Sequence, residues 1–300
     1  MKRLAMLACS AALLVSFGAA AQEGTLKKVK DSGSINIGHR DASDPFSYYD
    51  DKQQPIGFAM DLCAKVVDAV KAELKMPAIK VNYQLVTSAN RIPLMANGTI
   101  DLECGSTTNN IARQEQVWFA ITHFLTPNRW VAKKSSNIKK LADLQGKTVV
   151  STAGTTNIKQ ITELNAAKNL KMNIISANGH SEAFQMVETG RAVAFAMDDV
   201  LLAGLIAKSS KPGDFEITAE PISAPEPYGI MLRKDDKPFK AVVDRAISNV
   251  YTSGEINAIY SKWFEKPIPP KNINFNLPMS PSFKKVVAKP TDSPDPKAYE

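Results

Sequence analysis

The strongest constraint in this chain is an alternation of strand and helix patterns that runs through twice. Ser34 to His39 has a two-residue period, with Ile35, Ile37 and His39 on one face and Asn36, Gly38 and Arg40 on the other. Asp61 to Leu74 then sets Leu62, Val66, Val70 and Leu74 four residues apart, which is one face of a helix. Val81, Tyr83 and Leu85 make a second strand, and Ser88 is placed to cap a short helix through Met95. Ile100 to Cys104 is a third strand, ahead of a polar turn and a helix starting at Ile111. The series restarts with the extended stretch Arg129–Ala132 and a helical turn at Leu141–Leu144. It goes on through a strand at Lys147–Thr152, a helix at Thr156–Ala167, a strand at Met172–Ser176 and a helix at Ser181–Glu188. A strand at Ala192–Met197 and a helix to Lys208 complete it. Tyr228 to Leu232 returns to strand, and Lys237 to Phe264 reads as two helices parted at Ser253–Gly254.

Alternation of this kind predicts an α/β fold with mainly parallel sheets, here two similar units with the second inserted in the first. The two connections fall near Thr122–Asn128 and Pro221–Pro227, and their prolines suit defined crossover strands better than a loose linker. The expected division is 22–124 plus 225–279 for lobe 1 and 125–224 for lobe 2. From Pro267 onward Pro, Asn and Lys recur without a period. The last stretch, 280–300, is expected to be an irregular tail on the surface, frayed towards its end.

The beginning of the chain points to export. Lys2 and Arg3 precede an apolar run from Leu4 to Phe17, and Ala19-Ala20-Ala21 supplies a small-residue cleavage site, so residues 1–21 read as a secretory signal peptide. The run falls short of the roughly 20 apolar residues a membrane span needs. Cys9 has too little apolar sequence ahead of it for a lipoprotein site. Cleavage leaves Cys63 and Cys104, which in an oxidising compartment either pair or stay as buried thiols; neither has neighbours that suggest a metal site. The basic excess, 37 Lys and Arg against 30 Asp and Glu, is spread thinly without interleaved aromatics, which argues against nucleic acid.

In open α/β sheets small ligands bind at the carboxyl ends of the strands, where helix N-termini offer N–H groups to anions. Arg40 ends the first strand here. Ser88 and Arg91 follow the second, and Ser106, Thr108 and Arg113 the third. Thr155 and Thr156 follow the Lys147 strand, His180 follows the Met172 strand, and Asp198 ends the Ala192 strand. One at a time these are ordinary residues: a solvated arginine, a cap, a turn threonine. Together they set guanidinium forks and hydroxyls against a single carboxylate, which suits a ligand with two carboxylates and one ammonium.

Gly105-Ser106-Thr107-Thr108-Asn109-Asn110-Ile111-Ala112-Arg113 resembles the ligand loop of the polar amino-acid solute-binding proteins of ABC importers. Gly38-His39-Arg40, Pro45 to Asp50, Thr87 to Asn97, Asp101 to Asn110, Ser151 to Thr156, Gly190 to Phe195 with Met197-Asp198-Asp199, and Leu232 to Asp236 are similar to the glutamate/aspartate-binding branch of that family. The likeness runs in order from about Gly33 to Asn274. It implies a two-lobed periplasmic-binding-protein fold (type II) that closes on its ligand, a monomer without cofactor or metal, and delivery of L-glutamate or L-aspartate to a membrane permease from the periplasm. It also implies roles. Arg113 and Thr108 hold the α-carboxylate with an N–H at Thr155 or Thr156. Asp198 takes the ammonium with the Ser106 carbonyl. Arg40, Arg91, His180 and Ser88 surround the side-chain carboxylate, with His180 as a candidate imidazolium. Two other classes stay in view. A periplasmic dehydratase-like enzyme shares this fold but needs an acid or base poised in the cleft. A sensory ectodomain needs a membrane span or a fused effector.

Overall fold

The structure is a computed structural model and describes residues 24–300; the signal-peptide reading of residues 1–21 lies outside the described residues. The chain enters through α1 (Thr25–Ser32) and β1 (Ser34–His39), then folds a small antiparallel patch from β2 (Ala42–Ser43), β3 (Ser47–Tyr49) and β4 (Pro55–Ile56). It continues with α2 (Phe58–Leu74), β5 (Lys80–Leu85), α3 (Arg91–Ala96), β6 (Leu102–Glu103), the one-turn α4 (Ile111–Gln114) and the long β7 (Val117–Thr126). Only Pro127 separates β7 from β8 (Asn128–Lys133). Then come β9 (Thr148–Thr152), α5 (Thr156–Ala167), β10 (Asn173–Ala177), α6 (His180–Glu188), β11 (Ala194–Asp198), α7 (Asp199–Lys208) and β12 (Phe215–Ile217). The chain returns along β13 (Glu226–Arg233) to α8 (Lys237–Thr252), α9 (Glu255–Tyr260) and α10 (Pro281–Ala288).

Two five-stranded sheets result, in the orders β5-β1-β6-β13-β7 and β10-β9-β11-β8-β12. Each has three parallel strands flanked by two that run antiparallel to them or to each other. The sheets are linked twice, at Pro127 and through residues 218–225, and the two linking strands lie side by side: β13 opens its ladder with Glu226 opposite Thr126. Packing there is aromatic, with the Phe46 and Phe124 rings in contact with each other and both with Tyr228 and Phe264. Thr122 to Thr126, expected as connection, is therefore buried strand.

Local sequence explains most boundaries. The apolar row of α2 is buried through Leu62, Val66 and Val70, but the helix starts three residues earlier than its period shows, at Phe58. Gly57 permits that start: its φ is +140°, and a Cβ there would lie 2.2 Å from the Phe46 carbonyl oxygen. Ser88 caps nothing; α3 begins at Arg91. His180 is the first residue of α6 rather than the residue before a serine cap. Cys63 on α2 and Cys104 after β6 form a disulfide, closing the question their sequence left open.

The expected irregular tail needs correcting. Ser280 caps α10 by accepting from the Phe283 N–H, and Phe283, Val286 and Tyr299 are buried. The segment lies along β7: the Thr122 N–H donates to the Thr291 carbonyl at 2.9 Å, and the Thr122 and Tyr299 hydroxyls meet at 2.7 Å. The sequence signal was weak because an eight-residue helix, about two turns, is too short to print a period.

Candidate functional site

The parallel strands of both sheets end at one cleft. Nine of the ten residues singled out at strand ends line a single narrow cavity of about 10 Å³: Ser88, Arg91, Ser106, Thr108, Arg113, Thr155, Thr156, His180 and Asp198. With the lobes this close, that is room for about one water molecule. Arg40, the tenth, lies behind this wall and presses electrostatically on His180 and Arg91. Asn157, Met197 and Leu201 complete the lining.

The first sheet brings three guanidinium groups together, all removed from water. The Arg40 Nε donates to the Val86 carbonyl at 3.0 Å while its Nη1 is buried without a hydrogen-bond partner. The Arg91 Nη1 donates to the Thr107 hydroxyl at 2.5 Å, and its Nε is likewise buried and unpartnered. The Arg113 Nη1 donates to the Thr108 carbonyl at 2.7 Å, and its Nη2 reaches across to the Gly154 carbonyl at 3.2 Å. Burial, with mutual repulsion second, lowers Arg40 to about 10 and Arg113 to about 9. Burial also lowers Arg91. All three stay charged at neutral pH. The Ser88 and Ser106 hydroxyls are buried and unpartnered as well. Unpaired buried donors are costly. A cluster of them around one cavity marks the place where an acceptor belongs.

One buried carboxylate tempers this cluster. Glu103 ends β6 with no exposure, and its Oε2 accepts from the Thr107 hydroxyl at 2.5 Å, the same hydroxyl that receives Arg91. Glu103 and Thr107 were not picked out from sequence. Both sit within three residues of Ser106, so the strand-end reasoning that found Ser106 would have reached them had it treated acids as partners of the arginines.

The second sheet contributes differently. Thr155 caps α5: its hydroxyl accepts from the Ile158 N–H at 3.2 Å and donates to the Thr152 carbonyl at 2.7 Å. That side chain is spent on the helix, which leaves Thr156, the first residue of α5, with an N–H at the helix N-terminus and a hydroxyl 3.4 Å from that of Thr108 across the cleft. His180 Nδ1 meets the Thr152 hydroxyl at 2.8 Å. Burial first, then the Arg40 and Arg91 charges, hold His180 well below its ordinary pKa. Burial above all, and then the two cations, thus favour the neutral ring over the candidate imidazolium.

Asp198 precedes α7 yet caps no helix. Its Oδ1 accepts from the Asn157 amide at 2.8 Å and its Oδ2 from the Tyr228 hydroxyl. Burial raises its pKa to about 7, against the pull of those two donors. Tyr228 stands on β13, one of the linking strands, and Glu226 at the start of the same strand accepts from the Thr156 hydroxyl at 3.4 Å. Neither was visible beforehand, since β13 reads in sequence as an ordinary buried strand. Among the described residues no group of His, Cys, Asp and Glu is arranged to hold a metal ion.

Residues 35–266 match the family described as bacterial extracellular solute-binding proteins, family 3. The chain is 56% identical over 270 residues to an L-glutamate/L-aspartate-binding protein of Pseudomonas aeruginosa, covering 90% of this chain and 89% of that protein. It is 47% identical to the glutamate/aspartate import solute-binding protein of Escherichia coli K12, covering 95% of each. Among solved structures, an ancestral arginine-binding protein bound to arginine aligns with a TM-score of 0.69 at 27% identity, over 77% of this chain and 98% of that one. The cysteine-binding protein of Campylobacter jejuni aligns with a TM-score of 0.69 at 24% identity, over 80% and 93%. The two sheets joined by side-by-side strands are thus the two-lobed architecture of amino-acid receptors, and this chain belongs to family 3 of the bacterial extracellular solute-binding proteins.

Proposed function

We propose that the protein captures L-glutamate or L-aspartate in the periplasm by closing its lobes and delivers it to an ABC importer. The observation that carries this reading is the unequal wall of the cavity. Buried, unpartnered donors on Arg91, Ser88 and Ser106 stand on one side with that of Arg40 behind them, and the carboxylate of Asp198 stands on the other. An amino acid with a second carboxylate answers all of these groups at once. Its α-carboxylate takes Arg113, Thr108 and the Thr156 N–H; its ammonium takes Asp198 and the Ser106 carbonyl. Its side-chain carboxylate takes Arg91 and Ser88, with Arg40 behind and His180 donating as a neutral ring. Arginine- and cysteine-binding proteins share the fold, so the fold does not choose the ligand. The relatives that bind glutamate and aspartate by name are also the more similar in sequence, at 47–56% identity.

A thermal-shift screen over the twenty amino acids tests the reading. Ligand at 100 times its Kd adds about 2.7 kcal/mol to the folded state. Glutamate and aspartate are expected to raise the unfolding midpoint by several degrees while glutamine and asparagine leave it in place. Stabilisation by glutamine or arginine in preference to glutamate overturns the assignment.

A further inference from the structure

Resting on this capture reading, we infer that Gly154 is the contact that fixes how far the two lobes close, a positioning residue for the ligand that never touches it through a side chain. Gly154 lies in the turn between β9 and α5, at φ +75°. A Cβ there would fall 2.6 Å from the Ala89 Cα, 2.7 Å from the Ala89 nitrogen and 2.7 Å from the Ser88 oxygen. All three atoms are backbone, so no side-chain rotation relieves the overlap. Residues 88 and 89 follow β5 of the first sheet; Gly154 belongs to the second. The Gly154 carbonyl meanwhile accepts from the Arg113 Nη2. One peptide is thus held between the backbone of the opposite lobe and the arginine fork, directly ahead of Thr155 and Thr156 at the cavity.

Other glycines show that φ is only half the reason. Gly33, Gly146 and Gly190 share a positive φ, at +66°, +66° and +78°, with nothing within 4 Å of the position a Cβ would take. There the backbone conformation alone accounts for glycine. At Gly154 the conformation and the opposite lobe both require it. Closure depends on it directly, because any side chain at 154 holds the lobes apart and so separates Arg113 and Ser88 from Thr156, His180 and Asp198.

The test compares Gly154→Asn with Gly146→Asn. Asparagine tolerates the left-handed conformation, and Gly146 sits in the same half of the protein with open space around it, so the pair differs in the cross-lobe contact and shares the backbone strain. Gly154→Ala, which adds one carbon, serves if the asparagine variant unfolds. Calorimetry with L-glutamate is expected to show Kd raised about 10–100-fold for the Gly154 variants, the range of an overpacked contact. Gly146→Asn keeps the wild-type value. Small-angle scattering is expected to show ligand-induced contraction in wild type and Gly146→Asn and none in the Gly154 variants. Gly154 variants that bind and contract like Gly146→Asn overturn the inference. A wild-type protein that contracts with a different amino acid and ignores glutamate fails the ligand assignment alone. The same comparison, run with that amino acid, then decides the role of Gly154.

Discussion

The two rims of the cleft are built on sheets of the same design and reach the ligand by opposite means. The first rim is over-supplied with positive charge: three buried guanidinium groups crowd together, Arg40 and Arg91 each lowered by burial, with Glu103 among them and Glu226 near Arg113. The second offers a helix N-terminus, a neutral histidine and one carboxylate whose pKa burial pushes up to about 7. Each rim alone is electrostatically poor, the first for want of anions and the second for want of a cation. A zwitterion with an extra carboxylate supplies both. The closed state is therefore favoured by the ligand and little favoured without it, which is the differential affinity a population shift requires.

The largest expected effect breaks the second rim. Asp198→Asn removes the only carboxylate among the described residues that line the cavity and is expected to weaken glutamate binding by about 2–5 kcal/mol. Stability should move the other way. A carboxyl whose folded pKa is about 7 against an ordinary 3.8 stabilises the fold below pH 3.8 and loses that contribution as pH rises through 7. At pH 8 the asparagine variant, free of ligand, is therefore expected to unfold at or above the wild-type temperature. Calorimetry and thermal unfolding on one preparation read both. Equal loss of binding and stability would show that Asp198 merely holds the fold together.

Much of this asymmetry was legible in the sequence because strand ends are legible. Arg40, Asp198 and Thr156 follow directly from β1, β11 and α5, whose starts or ends were placed to within a residue. Asn157 and Tyr228 were missed for one reason: their chemistry is pairwise. Asn157 matters because its amide meets Asp198, and Tyr228 because β13 carries its hydroxyl to the same carboxylate. No local pattern encodes a partner 30 or 41 residues away. His180 was found with its charge left open, since sequence shows an imidazole and only the fold shows the burial and the two arginines that lower its pKa.

The first rim is also the one that is stapled. Cys104 is the residue before Gly105 of the ligand loop, and its bond to Cys63 closes a separation of 41 residues. Constraining the unfolded chain by a loop of that length is worth about 4 kcal/mol. Cys63→Ser with Cys104→Ser is expected to lower stability by that order, measured by urea unfolding, and to weaken glutamate binding much less. A binding loss as large as the stability loss would mean that the staple shapes the Ser106–Thr108 loop directly.

The pH profile separates the rims. Capture of an ammonium needs Asp198 ionised, so the competent fraction falls to about one tenth at pH 6 for a pKa of about 7. Kd is expected to rise roughly tenfold per unit below pH 7 and to level off above pH 8. His180, held neutral, adds no second inflection. An affinity that falls as pH rises from 7 to 8.5 would instead assign the titration to His180 as an imidazolium and return it to the cationic side.

The smallest effect concerns the last segment of the chain, residues 280–300, which leans on the first lobe. Residues 280–300 lie beyond the family match and fasten to β7 of the first sheet. The Tyr299 hydroxyl contacts that of Thr122 and donates to the Ser293 carbonyl at 2.7 Å. Thr122 also receives the Tyr251 hydroxyl on its carbonyl at 2.8 Å and gives its N–H to Thr291. Tyr299→Phe keeps the buried ring and deletes one link of this set, so a loss of about 1 kcal/mol is expected. Thr122 stands four residues before Thr126, where the linking strands meet, so the tail braces the first lobe up to the hinge without reaching the cavity. Glutamate and aspartate affinities of Tyr299→Phe, measured side by side, should therefore keep their wild-type ratio. A changed ratio would mean that strain in β7 is felt at the arginine rim, and that the first lobe is set by its tail as much as by its sheet.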